Sequence, residues 1–440
     1  MEPSLPPGPN LPKLVQTWRW MRHPYPMMET CARRYGDMFT ARMMQFPPMV
    51  MVHHPSAVEQ IFKGDPNVFD AGVGNSLLKP FLGENSLLIL DGERHLQQRR
   101  LMMPPFHGKR MRAYGEIIQE ATHRATHSWA MGEPFAVHPS MQDVSLEVIL
   151  RAVFGFTDGA RLTQGREFMR ETMEDFSNPA YVFVPALQRD LGPLTGWHRL
   201  QERAKRTEAM ILDEVDQRRR SGEEREDILS LLLQARDDKG QPMTDRELHD
   251  QLLTLLAAGH ETTATALAWA ISWILRTPGV QRDLRAEVDG VTDPEALGHL
   301  PYLDAVCRES LRLYPIIPIV ARSLREPTEI MGRMLPAGIS VAPSIYLVHR
   351  RPDLYPEPDK FKPERFLHDK GTPYTWLPFG GGVRRCLGQA FAMYEMKLVL
   401  ATLFQRFELE ADGPAPTPTR RSVALAPSGG SRVKVKARRA

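Results

Sequence analysis

The stretch Phe379-Gly380-Gly381-Gly382-Val383-Arg384-Arg385-Cys386-Leu387-Gly388 decides how this chain is read. It sets one cysteine behind a glycine-rich turn, at the head of an apolar run from Leu387 to about Phe407 that has helical period. Glycines let the backbone fold tightly and bring several N–H groups towards the sulfur. A helix start adds its positive dipole end, and Arg384 and Arg385 add charge. Each of these lowers a thiol's pKa, and the thiolate is the form that ligates a metal. A haem iron held by one cysteine thiolate needs this arrangement.

Ordinary alternatives compete with that reading. A lone cysteine is commonly a small buried apolar residue, and a glycine triplet is commonly a loop. A phosphate cradle is excluded, because no Gly-Lys-Ser or Gly-Lys-Thr follows the glycines. The dinucleotide fingerprint fails as well, since Arg385 stands where its third glycine belongs. A zinc site lacks a second Cys or His at finger spacing from Cys386.

The chain has 440 residues, enough for one large domain or several average ones. A hydrophobic fraction of 42% supports a sizeable core, and a charged fraction of 25% is that of an ordinary soluble protein. A net charge of +3 is too near balance to argue for nucleic acid. Cys31, Cys307 and Cys386 are few, odd in number and far apart, so no disulfide framework is expected and a reducing, cytoplasmic setting fits. The start is proline-rich over residues 1–12 and resembles no signal peptide. No apolar run reaches the roughly 20 residues of a membrane helix, so a soluble protein is expected.

Along the chain, a strand pair is expected at about Asp37–Met44 and Met49–His53, turned by Phe46-Pro47-Pro48. From Pro55 to about Thr277 the pattern is mostly helical, with breaks at Gly72-Val73-Gly74, Gly83-Glu84-Asn85 and Gly132-Glu133-Pro134. Arg218 to Asp227 reads as a charged linker between two helices. Val320–Ser323 and Ile330 to Val341 read as short strands, and Arg351 to Phe366 as a proline-laden loop. The alternation in Arg432-Val433-Lys434-Val435-Lys436 suits an exposed edge strand. The expected architecture is mainly α with a minor sheet, and no linker marks a domain boundary.

One helix is expected to be long. Thr244 with Glu247 makes a capping box and Pro278 ends the run, about 48 Å at 1.5 Å per residue. Its middle reads Ala257-Ala258-Gly259-His260-Glu261-Thr262-Thr263. Polar residues between apolar flanks are costly when buried. One account is a kink in which hydroxyls bond back to the i−4 carbonyl. The other is a local widening beside a cofactor, with Thr262 bonded to dioxygen and Glu261 relaying protons from water. Glu309-Ser310-Leu311-Arg312 sits on a helix between Pro301 and Pro315 and can form an i,i+3 pair. Taken alone, such a pair is more often a solvated face.

Four motifs together resemble one family. Phe379-x-x-Gly382-x-Arg384-x-Cys386-x-Gly388, Ala258-Gly259-x-Glu261-Thr262-Thr263, Glu309-x-x-Arg312 and Pro363-Glu364-Arg365-Phe366 stand in the order and spacing of the cytochromes P450. The resemblance covers essentially the whole chain, read as one domain over residues 1–440. It implies the family's mainly α fold, a large helical lobe and a small β-rich lobe, with haem b between the long helix and the Cys386 helix. Carried over by motif, Cys386 is the axial ligand, Phe379 packs by the sulfur and tunes it, and Gly388 is a further cofactor-binding residue of the same loop. Glu261 and Thr262 are the acid–alcohol pair, and Glu309, Arg312 and Arg365 lock the structure on the cysteine side. Arg99, Arg322 and Arg384 match positions that hold haem propionates. His95 stands where the family often has Trp, one turn before Arg99, and an imidazole can still donate to a propionate.

The resemblance implies a monooxygenase using O2. No flavin or iron–sulfur motif occurs, so electrons are expected from a ferredoxin or flavodoxin with an NAD(P)H-dependent reductase. Arg100, Lys109, Arg110 and Arg385 are candidates for its basic docking patch. By the same resemblance the substrate pocket is lined by Leu77, Leu78, Phe81, Leu82, Ala257, Ala258, Ile316, Ile319, Val320 and Ser428, with Phe176, Tyr181 and Phe183 as further contributors. That lining favours a lipophilic molecule such as a fatty acid, terpenoid or polyketide. A monomer is expected. Two other readings keep the haem: a peroxide-using enzyme, and a sensor or carrier without turnover. The Glu261-Thr262 pair counts against both.

Overall fold

The computed structural model describes residues 2–439 except 107–109, 158, 177–179, 182–183, 185–186, 194 and 224, and the side chains of 110 and 173–176 also lie outside the description. The long helix runs unbroken from Asp245 to Arg276, 32 residues. Its capping box forms: Thr244 Oγ1 accepts from the Glu247 N–H at 3.2 Å, and Glu247 Oε2 accepts from the Thr244 N–H at 2.9 Å. Thr277 turns extended ahead of Pro278 and ends it. Leu248, Leu252, Leu256, Ala264, Leu267 and Ile271 are buried along it, so it threads the core instead of lying on it. The helices Val137–Phe154, Pro301–Leu313 and Gln389–Arg406 pack around it.

Two small β layers flank this helical body. The strands are β1 (Met38–Ala41), β2 (Met49–Val52), β3 (Phe69–Asp70), β4 (Pro134–Ala136), β5 (Arg322–Leu324), β6 (Thr328–Ile330), β7 (Arg333–Leu335), β8 (Ser340–Pro343), β9 (Phe407–Ala411), β10 (Pro418–Arg421), β11 (Ala424–Pro427) and β12 (Arg432–Arg438). One sheet has the order β1-β2-β8-β5-β3, with only β2–β8 parallel. A second has the order β4-β12-β9, and β6–β7 and β10–β11 are separate hairpins. Among the described residues no helix is long and apolar enough to cross a membrane.

The β1–β2 pair forms as expected. Short strands also form between Ile330 and Val341, where Met331 and Gly332 take positive φ (50° and 71°) and turn β6 into β7 ahead of β8. Two readings need correction. The strand near Arg432 is central, not an exposed edge: β12 pairs with β4 on one side and β9 on the other. Its alternation buries Val433 and Val435, while Lys434 and Lys436 face Glu408 and Glu410 across the ladder. The stretch from Arg218 to Asp227 is no solvated linker either. The helix continues to Ser221, and buried Arg218 binds Asp227 at 2.6 Å, Glu214 at 2.9 Å and the Phe154 carbonyl at 2.8 Å.

The Glu309–Arg312 pair is likewise buried, both side chains at 0% exposure. Arg312 gives Nε to Glu309 Oε2 at 2.7 Å and Nη2 to Oε1 at 2.9 Å. Its remaining N–H groups reach the carbonyls of His349 (2.7 Å), Pro358 (2.8 Å) and Lys360 (3.2 Å). Glu309 Oε1 also accepts from Arg365 Nε at 3.1 Å and from the Lys362 N–H at 2.8 Å. The pair therefore ties a helix to the whole proline-laden loop. Burial and the neighbouring Arg312 push His349 down to about 3, and the neutral ring accepts the Leu377 N–H at 3.0 Å. Leu377 opens the turn that leads to Cys386.

Removing one partner of a buried ion pair strands the other, which costs roughly 3–5 kcal/mol. Arg312→Met should lower unfolding free energy by about that amount in urea titration. A loss under about 1 kcal/mol, the range of a surface pair, would contradict the lock.

Candidate functional site

The cysteine loop is shaped by contacts that exclude side chains. The Gly380 N–H bonds the Leu377 carbonyl at 3.0 Å, and Gly380 and Gly382 sit at φ 66° and 65°. A Cβ on Gly381 would lie 2.1 Å from the Phe62 ring, and one on Gly382 2.2 Å from the Phe62 carbonyl oxygen. The loop therefore lies flat on the end of the helix Pro55–Lys63. The Cys386 N–H bonds the Phe379 carbonyl at 2.9 Å, which sets the Phe379 ring beside the loop, edge-on to Trp376 with centroids 6.0 Å apart. The helix Gln389–Arg406 starts just beyond Gly388.

Cys386 is exposed by surface area and lines a concavity of about 860 Å³, yet protein atoms crowd around its sulfur. Arg99 and Arg385 line this concavity, as do Arg112 and Lys397, which pair there with Glu295 at 2.7 Å and Asp304 at 2.8 Å. Depth prevails over the local positive groups. Burial pushes the Cys386 thiol up, against the Gly388 N–H, Arg99 and Arg385, which pull it down. The expected lowering by a loop N–H and Arg385 is present, but burial outweighs it, and Arg384 takes no part. Arg384 is occupied elsewhere, bound to the Asp91 carboxylate, the Leu90 carbonyl and the Leu87 carbonyl.

His95 and Arg99 project from the helix Gly92–Met102, Arg322 from β5 and Arg384 from the cysteine loop. The structure brings all four together. Burial and the charges of Arg384, Arg99 and Arg322 push His95 down to about 3, so its ring is neutral at ordinary pH. Arg322 is buried, donates to the Ala321 carbonyl at 2.8 Å and lies over the Phe62 ring at 5.9 Å. Among the described residues no carboxylate pairs with Arg322 or Arg99, and burial pushes Arg322 down to about 10. A buried guanidinium without an anion is costly unless a ligand supplies one. The carboxylates of haem propionates have the right charge, so the residues present fit that group.

Asp91 was not foreseen. It precedes Gly92 at the helix start and accepts from the backbone N–H groups of Ala71 (3.1 Å) and Gly72 (2.9 Å). Burial and the neighbouring Asp70 push its carboxyl up to about 6.

Glu261 and Thr262 are adjacent on the long helix but engaged apart. The helix shows no widening there, and the Thr262 hydroxyl bonds back to the Ala258 carbonyl at 2.5 Å. Glu261 Oε1 accepts from Arg421 Nε at 2.8 Å, and Oε2 from Gln142 Nε2 at 2.7 Å. His138 Nε2 lies 3.8 Å from Oε1 and 3.3 Å from Thr265 Oγ1. Ala258 is exposed between buried or half-buried neighbours, so this turn of the helix faces accessible space.

The expected substrate wall divides. Leu82, Ala257 and Ile316 are buried in the main core. Leu77, Leu78 and Phe81 are half-buried, and Phe81 meets Trp197 edge-on at 5.7 Å. Ile319 bridges to Ser344, and Val320 lies beside Gly380. Ser428 is committed to its own hairpin, its Oγ accepting the Thr417 N–H at 2.9 Å. Tyr181 lies 5.9 Å from Trp197, whereas Phe183 and the Phe176 side chain fall outside the described residues. Of the basic patch, Arg100 pairs with Asp238 at 2.9 Å and Arg385 faces the concavity. Lys109 and the Arg110 side chain lie outside the described residues.

A family model for cytochrome P450 matches residues 3–435. Cytochrome P450 135B1 of Mycobacterium tuberculosis is 40% identical, covering 99% of this chain and 92% of its own length. Cytochrome P450 138 of the same organism is 37% identical, covering 99% of this chain and 97% of its own. Among solved structures, a retinoic acid-bound cyanobacterial CYP120A1 superposes with a TM-score of 0.86 at 28% identity, over 98% of this chain and 99% of that one. The haem domain of cytochrome P450DA shares the fold, with a TM-score of 0.87 at 22% identity over 99% of this chain and 98% of that one. The chain belongs to the cytochrome P450 family, the monooxygenases that bind haem b through a cysteine thiolate.

Proposed function

We propose that this chain, as one domain and a cytoplasmic monomer, inserts an oxygen atom into a lipophilic substrate with electrons from a ferredoxin or flavodoxin and its reductase. One atom of O2 enters a C–H or C=C bond and the other leaves as water, consuming two electrons and two protons. The observation that carries this reading is that Arg99 shares a concavity with Cys386 and stands on the same helix as His95, which lines a second pocket with buried Arg322 and Arg384. The bound haem supplies the oxygen chemistry, its iron made electron-rich by the thiolate. Cys386 is the ligand. Arg322 and Arg99, cations without a protein anion among the described residues, would hold the propionates, His95 would add an imidazole, and Arg384 is shared with Asp91.

Glu261 carries protons from solvent, and the Thr262 hydroxyl passes them on once it turns from the Ala258 carbonyl. This acid–alcohol pair favours O2 turnover over peroxide use or haem carriage. A lipophilic substrate is supported by the half-buried Leu77, Phe81, Ile319 and Val320 and by the accessible turn at Ala258. The retinoic acid in the 28% identical neighbour is a molecule of that class. The electron donor docks at the concavity over Cys386, where Arg99 and Arg385 have no carboxylate partner among the described residues and suit an acidic partner, whereas Arg112 and Lys397 are paired with Glu295 and Asp304.

Thr262→Ala should retain haem but lower product formed per electron pair by about tenfold or more, the difference appearing as hydrogen peroxide. Peroxide released against reductant oxidised measures this, and unchanged coupling would contradict the role of the hydroxyl. Arg322→Leu should speed haem loss to an acceptor protein by about tenfold while raising the melting temperature of the haem-free chain, since an unpaired buried charge is removed. Unaltered haem loss would remove Arg322 from the propionate site.

A further inference from the structure

We infer that Asp91 is a positioning residue that takes up a proton, shared with Asp70, when haem binds, and so frees Arg384 for a propionate. This rests on the reading of Arg322 and Arg384 as propionate partners. The two acids meet oxygen to oxygen. Asp70 ends β3, is 1% exposed and accepts at Oδ2 from Arg325 Nε at 2.9 Å and Nη2 at 2.5 Å. Among the described residues no donor closes a hydrogen bond on its buried Oδ1. Asp91 Oδ1 is filled by three donors, the N–H groups of Ala71 (3.1 Å) and Gly72 (2.9 Å) and Arg384 Nη2. The residues that follow Asp70 thus hold the Asp91 carboxyl within bonding reach of the Asp70 carboxyl. A bond between two carboxyl groups needs one proton between them.

Asp91 is the member that takes the proton. Burial, then Asp70, push it up to about 6, against the Gly72 N–H and Arg384, which pull it down. Burial pushes Asp70 up as well, but Asp91, Arg325 and the Val73 N–H outweigh it and hold Asp70 below its ordinary value. Asp70 therefore stays the anion of the pair. Facing Asp91 around a cavity of about 20 Å³, room for one water, are His95, Arg322 and Arg384. His95 is neutral, and Arg99 stands one turn beyond it on the same helix.

Without haem and at neutral pH, Asp91 is ionised and holds Arg384. A propionate bound by Arg322 and Arg384 adds negative charge beside it, and like charge raises a carboxyl's pKa. One proton then passes from water to Asp91, turning its carboxylate into a carboxyl that donates to Asp70. Asp70, Arg384 and His95 keep their protonation states. The Arg384–Asp91 contact falls from an ion pair to an ordinary hydrogen bond, which leaves the guanidinium charge to the propionate. Binding that takes up a proton weakens as pH rises. Haem affinity should therefore be highest below about pH 6 and fall by up to about tenfold per pH unit above it. An Asp91 that only caps its helix would give no such slope.

The test follows the partition of haem between the holoenzyme and apomyoglobin as pH is raised, for wild type and Asp91→Asn, whose side chain keeps an acceptor oxygen but cannot ionise. Relative to Asp91→Asn, wild type should lose haem affinity by about tenfold per pH unit above about pH 6. Infrared spectra of holoenzyme carrying isotope-labelled aspartate should show a protonated carboxyl band at neutral pH, lost in Asp91→Asn. The wild-type spectrum needs no variant to fold. A holoenzyme with no protonated aspartic band that titrates above about pH 6 would overturn the inference. Equal pH slopes in wild type and Asp91→Asn would overturn it as well. Arg384→Leu holding haem as tightly as wild type would instead overturn the propionate reading beneath it.

Discussion

On the proposed reading the Cys386 sulfur carries negative charge, yet it sits where burial disfavours that charge. Burial pushes the Cys386 thiol up, and the Gly388 N–H, Arg99 and Arg385 offset only part of that. The iron supplies what the side chains do not, because a coordinating thiol is deprotonated outright. The protein's task is to hold the sulfur in place and surround the haem with matching charges. Glycines without room for a Cβ press the loop onto Phe62. The Phe379 carbonyl ties down the Cys386 N–H, and Leu377 anchors the loop's other end to His349. Behind His349 stands the fully buried Glu309–Arg312 pair, so the loop that carries the proposed ligand rests on an interaction deep in the core.

The opposite face of the site shows the same economy with charge. The cations Arg99 and Arg322 have no protein carboxylate, whereas Arg384 and Arg421 do. On the proposed reading the first two are left for the anions of the haem. The second two are tied to acids, Asp91 and Glu261, that border the site.

Much of this was legible because the signals are local. The capping box at Thr244, the terminating Pro278 and the spacing of Phe379, Arg384 and Cys386 are properties of adjacent residues, and each appears where it was expected. What escaped notice depends on distant segments. Arg218 reads as part of a charged linker until Phe154, Glu214 and Asp227 close around it. The strand at Val433 has the alternation of an edge, and only its partners Phe135 and Leu409's strand reveal it as central. Arg421 and Gln142 come to Glu261 from 160 and 119 residues away, a pairing that no local pattern encodes.

The most direct test is the difference spectrum of the dithionite-reduced protein with carbon monoxide, for wild type and Cys386→Ala. The account predicts a strongly red-shifted Soret band in wild type, the mark of thiolate-ligated haem, and its loss in the variant. A wild-type band at the ordinary position of histidine- or thiol-ligated haem, or a red-shifted band that survives in Cys386→Ala, would contradict it.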